Sequence, residues 1–325
     1  MIIGVIDCGT NTFNLLIAEV NREGWKIVFQ SKLPVKLGAG GFQDGEIKES
    51  RFFRGLDALL CHKSNLQNFE CKKFFAFGTS ALREASNGKL FVQEAAKYFN
   101  IHIDVIDGNR EAELIFAGVV QTMELTESPI LVMDIGGGST EFIIGNKNGI
   151  LWKHSFLLGV SRLHDMIKPA DKMSREDVIY FRTILDKELE PLRNALENFP
   201  VKWLIGSSGS FDTLLELYHG TLKGDEIKTE LSNDISLKSF QDVYAWLLKS
   251  TFEQRLKHPA IPAIRAEYMP LAAYLVNYVL ELFAFEKLIH SAYSLKEGAL
   301  QSFVKSIDWS QEVMEASPNI VKDAE

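Results

Sequence analysis

Two apolar segments of the chain, each interrupted by a short turn rich in glycine, share one pattern of positions. VIDCGTNTFNLLI (5–17) aligns with VMDIGGGSTEFII (132–144), so that Asp7 matches Asp134. In each copy the apolar residues before and after the turn predict the two strands of a hairpin. The two aspartates are 127 residues apart, whereas solenoid repeats recur every ~20 to 50 residues. The spacing therefore indicates two homologous lobes that face each other.

Two other stretches have apolar residues at helical spacing. One packed helix is predicted over 173–199, MSREDVIYFRTILDKELEPLRNALENF. It begins with a capping box from Ser174 to Asp177 and ends before Pro200. IDGNREAELIFAGV (106–119) predicts a second helix and places Glu111 in its first turn.

A third glycine cluster, WLIGSSGSFDTL (203–214), lies between a predicted strand and a predicted helix. Gly206 and Gly209 bracket two serines in it. The cluster either closes the far wall of a site formed by the two matching turns, or is a plain strand-to-helix turn in which Ser210 or Asp212 caps the helix.

The bulk composition limits the partners that the chain can have. At 325 residues with 46% hydrophobic content, two packed lobes are expected. Lys and Arg total 35 against 43 acidic residues, a formal charge of −8, which argues against broad binding to nucleic acid or to an anionic membrane. A local anion site is compatible with this charge.

Cysteine usage and the N-terminus indicate the compartment. Cys8, Cys61 and Cys71 form no CxxC pair, so neither a disulfide framework nor a zinc site is predicted, and the compartment is expected to be reducing. The sequence MIIGVIDCG has no basic leader, and no apolar run approaches the ~18 residues of a membrane span. A soluble, cytoplasmic protein is expected.

The matching turns have a chemical use. A tight glycine-rich turn points successive backbone N–H groups into an anion-binding concavity, to which Ser or Thr adds a hydroxyl. An adjacent aspartate repels bare phosphate but can hold Mg²⁺, which neutralises phosphate oxygens. One copy alone is more typical of a plain hairpin turn, but two copies in register favour a site for metal-bound phosphate. The candidate metal ligands are Asp7 and Asp134, and the candidate phosphate-binding residues are Thr10, Asn11, Thr12, Gly136, Gly137, Gly138, Ser139, Gly206, Ser207 and Gly209.

Four motifs in this order, IDCGTNTFNLLIAEV, FGTSALREA, DGNREAELIFAGV and VMDIGGGSTEFIIG, resemble those of the exopolyphosphatase/guanosine pentaphosphate phosphatase family, in the actin/sugar-kinase/heat-shock-protein superfamily. The resemblance implies an α/β fold of two ribonuclease-H-like domains, each with a mixed five-stranded sheet, and an active site in the interdomain cleft. Domain I is expected over 1–124, with a C-terminal helix at 298–325 packing back on it. Domain II is expected over 125–297. With these two domains the chain resembles the short, two-domain form of the family.

The resemblance also implies a catalytic role for Glu111, which matches the family's water-activating glutamate. By position alone it is an ordinary acidic residue in a first helical turn. The chain departs from the family pattern at Arg110 and Glu113, where the two charges are exchanged. These residues, at i and i+3, either still pair on one helix face or leave Arg110 free to reach the phosphates.

Other charged residues have two interpretations each. Arg83 in GTSALREA matches a family arginine suited to bidentate phosphate contacts, or is an exposed arginine paired with Glu84 or Glu94. Glu141 is either a metal or water ligand in the cleft or a solvated strand residue. Lys32 and Lys36 either guide a polyanion or lie on a solvated surface.

The expected activity is therefore Mg²⁺-dependent release of terminal phosphate from inorganic polyphosphate, guanosine pentaphosphate or both, with or without a monovalent cation. Glu111 would activate the water, assisted by Arg83 and Glu141. A homodimer is expected from the family, with neither nucleic acid nor a membrane as partner. The alternatives are an ATP-dependent small-molecule kinase of the same superfamily and a non-catalytic regulator that binds guanosine tetra- or pentaphosphate.

Overall fold

The computed structural model describes residues 1–221 and 230–307, and its first lobe is built on a five-stranded sheet. The elements of this lobe are β1 (Ile2–Cys8), β2 (Thr12–Asn21), β3 (Gly24–Pro34), α1 (Glu49–Asn68), β4 (Lys73–Gly78), α2 (Ser80–Glu84), α3 (Gly88–Phe99), β5 (Ile103–Val105) and α4 (Gly108–Val119). The strand order is β3-β2-β1-β4-β5. The first three strands are antiparallel, whereas β4 and β5 continue the sheet in parallel to β1, so the sheet is mixed as predicted.

The second lobe repeats this plan with a six-stranded sheet. Its elements are β6 (Ile130–Ile135), β7 (Thr140–Asn146), β8 (Gly149–Phe156), α5 (Val160–Ile167), α6 (Arg175–Glu188), α7 (Glu190–Asn198), β9 (Trp203–Ser207), α8 (Ser208–Thr221), β10 (Ser232–Ile235), α9 (Leu237–Lys249), α10 (Phe252–Lys257), α11 (Met269–Leu282) and β11 (Lys287–Ser291), followed by α12 (Leu295–Ser306). The strand order is β10-β11-β9-β6-β7-β8. The sheet has one strand more than expected because β10 adds an antiparallel edge to β11.

Both predicted hairpins are present and have matching registers. In the first, β1 and β2 pair so that Asp7 faces Asn14; in the second, β6 and β7 pair so that Asp134 faces Glu141. The repeat seen in the sequence is therefore a repeat of structure, with an aspartate at the corresponding position of each leading strand.

Helices α4 and α12 lie between the two sheets. Apolar residues of the first sheet, such as Val5, and of the second, such as Val132, pack in one cluster with Ile115 of α4 and Leu300 of α12. The expected C-terminal helix thus begins earlier, at Leu295, and it contacts α4, β1 and β2; the part of that prediction beyond residue 307 lies outside the described residues. Helices α1 and α3 cover the outer face of the first sheet, and the helices of the second lobe cover the outer face of the second. None of the described helices is both long and apolar enough to span a membrane.

The single helix predicted over 173–199 is wrong: the segment forms two helices, α6 and α7. The capping box from Ser174 to Asp177 is present. The break falls at Leu189, directly before the first turn of α7, which contains Pro191. Proline lacks the N–H that a continuous helix needs and its ring crowds the preceding turn, so the proline that starts α7 ends α6. The apolar stripe survives the break, since both halves turn it towards the core.

Candidate active site

The matching turns of the two lobes are in direct contact across the cleft. Each turn is closed by the corresponding backbone hydrogen bond. Gly136 N–H donates to the Ser139 carbonyl (3.0 Å) in the second lobe, and Gly9 N–H donates to the Thr12 carbonyl (3.1 Å) in the first. A Cβ atom added to Gly137 would lie 2.8 Å from the side-chain amide of Asn11. The close approach of the other lobe therefore requires glycine at this position.

Helix α5 holds the second turn from behind. Val160 N–H donates to the Gly136 carbonyl (3.0 Å), and Ser161 N–H donates to the Gly137 carbonyl (2.9 Å). In a trans peptide the C=O and the following N–H point in opposite directions. The N–H groups of Gly137 and Gly138 therefore point away from α5, as an anion-binding concavity requires.

The first turn is held in a similar way by the segment that follows β3. The Asn11 carbonyl accepts hydrogen bonds from the N–H groups of Val35 and Lys36, both at 2.9 Å. The side chain of Asn11 also accepts a hydrogen bond from the Ser161 hydroxyl (2.8 Å), which joins the first turn to α5. The two turns thus form one connected unit.

Between the turns lies a cavity of about 160 Å³. Arg83 and Glu141 do not line it. Arg83 bonds Glu111, which does, and Glu141 interacts electrostatically with both Glu111 and Asp134. The predicted site residues in its wall are Asp7, Thr10, Asn11, Thr12, Glu111, Asp134, Gly136, Gly137, Gly138, Ser139 and Gly209.

Gly206 and Ser207 are predicted phosphate-binding residues that the structure places behind the wall of the cleft, outside the cavity lining. A Cβ at Gly206 would lie 2.0 Å from the buried ring of Phe211, so this glycine serves packing. The Ser207 side chain is fully buried and donates to Asp134 (2.7 Å). Of the three candidates in this cluster only Gly209 reaches the cavity.

The alternative interpretation of this cluster, with Ser210 or Asp212 as a helix cap, also fails. Helix α8 already begins at Ser208, so both residues lie within it. Asp212 instead accepts a hydrogen bond from His290 (3.1 Å) and faces Lys32 (3.4 Å). Burial acts to raise the pKa of Asp212, but the His290 hydrogen bond and the nearby cations lower it to about 2.

Glu111 is a buried acid and not an ordinary first-turn charge. Its residue is only 7% exposed, at the start of α4, where Asp107 caps the helix. Its Oε2 accepts a hydrogen bond from Arg83 Nη1 (3.0 Å). Burial, followed by the charge of Glu141, raises the pKa of Glu111 well above its usual value, and Arg83 opposes this rise. The site therefore contains a carboxylate of increased basicity.

Glu141 is 1% exposed, so the solvated-strand interpretation is wrong. It lies on β7 and accepts a hydrogen bond from the Ser155 hydroxyl (2.7 Å). Burial, together with the charge of Asp134, raises its pKa to about 7. Glu111, Glu141 and Asp134 thus form a group of carboxylates that repel one another.

Asp7 and Asp134 line the same cavity from opposite lobes. Burial raises the pKa of Asp7 to about 6, although the Asn14 side chain donates to it at 2.8 Å. Asp134 Oδ2 accepts hydrogen bonds from the hydroxyls of Ser207, Ser208 and Ser294. Among the described residues, no three His, Cys, Asp or Glu side chains are placed to hold a metal by themselves.

This arrangement fits a divalent cation that shares its coordination with substrate. Mg²⁺ is usually bound through one or two carboxylates, several waters and substrate phosphates. The cleft has two such carboxylates, Asp7 and Asp134, and a bound cation would offset the cost of burying the Asp7 charge, which raises its pKa to about 6.

Arg83 makes the ion pair with Glu84 that the alternative interpretation described (3.2 Å), but it also bonds Glu111 and the Ile106 carbonyl. Its side chain is 19% exposed, so it is a partly buried residue of the site. Arg110 pairs with Glu113 at 3.0 Å on the exposed face of α4 and does not line the cavity. The exchanged charges therefore preserve the ion pair.

The two lysines both pair with acids of the second lobe. Lys36 lies 3.3 Å from Glu267, and Lys32 faces Asp212 at the rim of the cleft. Lys32 also lines a second, largely apolar cavity of about 670 Å³ that shares Thr12 and Arg265 with the first. The rim is thus neither a free basic patch nor a plain solvated surface.

Sequence reasoning missed two residues of the site at the start of α12. The Ser294 hydroxyl bonds Asp134, and Lys296 lines the cavity beside Asp7 while pairing with Glu297 at 2.7 Å. Glu297 and Ser294 form a capping box. The Ser-x-x-Glu pattern was a readable signal for that helix start, but nothing local connects it to the cleft.

The fold and the cleft define the class of the protein. Each of the two lobes has a mixed sheet and contributes a glycine-rich turn from its first hairpin to a shared cleft. This is the two-domain actin-like architecture. The buried acid beside the turns adds the kind of group that activates water for phosphate chemistry.

Comparison with known proteins assigns the family. The sequence profile of the Ppx/GppA phosphatase family matches residues 16–307, and the chain belongs to this family of phosphohydrolases. The crystal structure of an exopolyphosphatase from Cytophaga hutchinsonii superposes with a TM-score of 0.91 at 39% identity, covering 94% of this chain and 99% of that one.

Curated relatives carry both names of the family. Exopolyphosphatase 1 of Mycobacterium tuberculosis is 27% identical over 311 residues, 92% of this chain and 87% of the relative. The guanosine-5'-triphosphate,3'-diphosphate pyrophosphatase of Pseudoalteromonas translucida is 33% identical over 217 residues, which are 66% of this chain but only 43% of that longer protein. The family membership removes the basis for the kinase alternative.

Proposed function

We propose that the protein is a Mg²⁺-dependent hydrolase that releases the terminal phosphate of inorganic polyphosphate, guanosine pentaphosphate or both. The observation that carries the proposal is the buried Glu111, which lines the cavity between two facing glycine-rich turns and is held by Arg83 at 3.0 Å. The relatives named exopolyphosphatase support polyphosphate as the substrate. The relative named guanosine-5'-triphosphate,3'-diphosphate pyrophosphatase supports guanosine pentaphosphate.

The turns would bind the phosphates. The N–H groups of Gly137 and Gly138 point away from α5, and the Ser139 side chain adds a hydroxyl to the wall. Asp7 and Asp134 would hold Mg²⁺, which supplies charge neutralisation to the phosphate oxygens when bound. A bound cation would also keep Asp7 ionised at lower pH, because a nearby cation lowers the pKa of a carboxyl group.

Glu111 would take the proton of the water that attacks the terminal phosphorus. A base works best when its pKa is close to the working pH, and burial next to Glu141 raises the pKa of Glu111 in that direction. Arg83 would keep the carboxylate oriented and offset charge that develops on the transferring group. The proton moves to a Glu111 oxygen, and the remaining phosphate chain leaves as an anion.

The shape of the cleft favours binding at the end of a chain. The cavity of about 160 Å³ is smaller than the ~300–1,000 Å³ of sites that enclose a whole ligand. The adjoining cavity of about 670 Å³ provides room for the rest of the substrate. A site that encloses only one end releases terminal groups.

The regulator alternative was motivated by the exchange at Arg110 and Glu113. That pair lies on the exposed face of α4 and still forms at 3.0 Å, so the exchange gives no reason for a loss of activity. The homodimer stays a prediction, which light scattering of the purified chain would decide.

The test is phosphate release, in Mg²⁺, from long-chain polyphosphate and separately from guanosine pentaphosphate, by the wild type, Glu111→Gln and Glu113→Gln. Loss of the base should lower turnover by about 10²- to 10⁴-fold. Glu113, on the same helix but in the exposed ion pair, serves as the matched control and should stay within about threefold of the wild type, because surface pairs contribute little. Nucleotide binding without any turnover by the wild type would overturn the proposal in favour of the regulator.

A further inference from the structure

Besides the contact between Gly137 and Asn11, an arginine links the second phosphate turn to the first lobe. Arg162, in the first turn of α5, donates from Nε to the carbonyl oxygen of Gly138 (2.9 Å). Its guanidinium lies 4.5 Å from the ring centroid of Phe42, which belongs to the loop after β3 in the first lobe. One side chain therefore contacts the phosphate turn of its own lobe and an aromatic ring of the other.

The hydrogen bond to Gly138 determines the direction of a peptide group. Because a trans peptide places C=O and the next N–H on opposite sides, a Gly138 carbonyl held by Arg162 directs the Ser139 N–H to the opposite side. The preceding two peptides are oriented by backbone amides of α5, whereas this one depends on a side chain. The third N–H of the turn is thus the only one of the three whose direction a side-chain substitution can release.

Phe42 is placed to keep that arginine in position. The loop that carries it grips α5 at two further points: Gly40 N–H donates to the Asp165 side chain (2.9 Å), and the Gln43 side chain donates to the Asp165 carbonyl (2.9 Å). The ring of Phe42 also packs on Gly38, where a Cβ would lie 2.5 Å from it. Gly38 in turn bonds the first phosphate turn through its N–H.

The second terminal nitrogen of Arg162 supports a role other than stability. Nη2 is buried and, within residues 1–221 and 230–307, has no hydrogen-bond partner. A buried unpaired donor is costly and calls for an explanation. In this geometry the planar guanidinium of Arg162 packs on the Phe42 ring, and its Nε–H donates to the Gly138 carbonyl. A lysine side chain cannot make both contacts.

We propose that Phe42 of the first lobe sets, through Arg162 of the second, the direction of the Gly138–Ser139 peptide that faces the substrate. Both are positioning residues, and the phosphate turn of one lobe is completed by contact with the other. The inference rests on the proposed function for the identity of the ligand, a phosphate chain.

The test uses three variants and one control in the full chain. Phe42→Leu removes the ring, Phe42→Tyr keeps it, and Arg162→Lys keeps the charge but loses the planar group. Gln43→Ala removes a neighbouring contact between the lobes without touching the arginine. Each is measured for KM and kcat on long-chain polyphosphate, for Tm, and, in a Glu111→Gln background, for the Kd of tripolyphosphate in Mg²⁺ by calorimetry.

Phe42→Leu and Arg162→Lys should raise the Kd of tripolyphosphate roughly 5- to 30-fold, the range expected for loss of a desolvated cation–π contact. KM should rise in parallel. Phe42→Tyr and Gln43→Ala should stay within about twofold. A Phe42→Leu effect below twofold, or an equal effect of Gln43→Ala, overturns the inference, since the ring would then act only as packing. If the wild type binds tripolyphosphate but hydrolyses nothing, the proposed function fails while Kd still decides this inference; absence of binding to the wild type overturns it too.

Discussion

Replacement of Asp7 by asparagine should stabilise the metal-free protein at high pH while it removes the response to Mg²⁺. Asparagine has nearly the same shape, and its carbonyl can still accept the hydrogen bond that Asn14 donates to Asp7 at 2.8 Å. What changes is the charge in a cleft that also contains Asp134. The substitution therefore separates the electrostatic cost of the carboxylate from its packing.

The magnitude follows from the pKa of Asp7, which burial raises from 3.8 to about 6. Between about pH 4 and pH 6, the folded protein thus still holds on Asp7 a proton that the unfolded chain has already released. The contribution of protonated Asp7 to the free energy of unfolding is fully present below about pH 4 and is lost as the pH rises through 6. At ~1.4 kcal/mol per tenfold change in proton affinity, the loss is at most ~3 kcal/mol, and ~1–3 kcal/mol is expected because Asp7 borders the open cleft.

The assay is chemical denaturation of the wild type, Asp7→Asn and the exposed control Asp57→Asn, in EDTA at pH 4 and pH 8. The Asp7 variant should be more stable than the wild type by ~1–3 kcal/mol at pH 8 and equal to it at pH 4. Added Mg²⁺ should raise the stability of the wild type and of the control, because a ligand that binds the folded state stabilises it, but not that of the Asp7 variant.

A variant that is less stable than the wild type at pH 8 without metal would refute this reasoning. It would show that the hydrogen bond with Asn14 and the attraction to Lys296 outweigh the burial of the charge. An equal response of the wild type and the variant to Mg²⁺ would separately remove Asp7 from the metal site.

Two further substitutions test the corrected assignments. Gly206→Ala should destabilise the protein by ~1–3 kcal/mol, because its Cβ would lie 2.0 Å from the ring of Phe211, yet leave KM unchanged in the folded fraction; a raised KM without loss of Tm would restore Gly206 to the phosphate site. Arg110→Ala should leave KM for either substrate within about twofold and lower stability by less than ~0.5 kcal/mol, since Arg110 is an exposed partner of Glu113; a several-fold rise in KM would show that it reaches the phosphates.

Much of the site could be predicted because its parts are local. The alignment of the two turns places Asp7 and Asp134 in one pattern, and each hairpin is determined by residues within about a dozen positions of its turn. The break at Leu189 was also visible, since Pro191 stands inside the helical stripe. It was missed because the apolar spacing continues across it.

Other assignments depended on contacts that no local pattern records. Gly206 is in the right cluster, but only the packing of Phe211 shows that it faces the core. Whether Glu141 is solvated depends on what covers β7, and the answer lies in neighbouring elements of the fold. Periodicity identifies which face of an element is buried, but not which distant residue covers it.

The sequence by itself determined the two-lobed repeat, the hairpins, the glycine turns and the helix that begins beside Glu111, because short-range sterics and hydrogen bonding control these features. Only the tertiary structure decided which groups meet in the cleft. Arg83 reaches Glu111 from another helix, Ser294 reaches Asp134 from 160 positions away, and Phe42 reaches Arg162 across the lobes. Such meetings are set by how the two sheets pack on α4 and α12, and that packing arises from many weak contacts distributed over the whole chain.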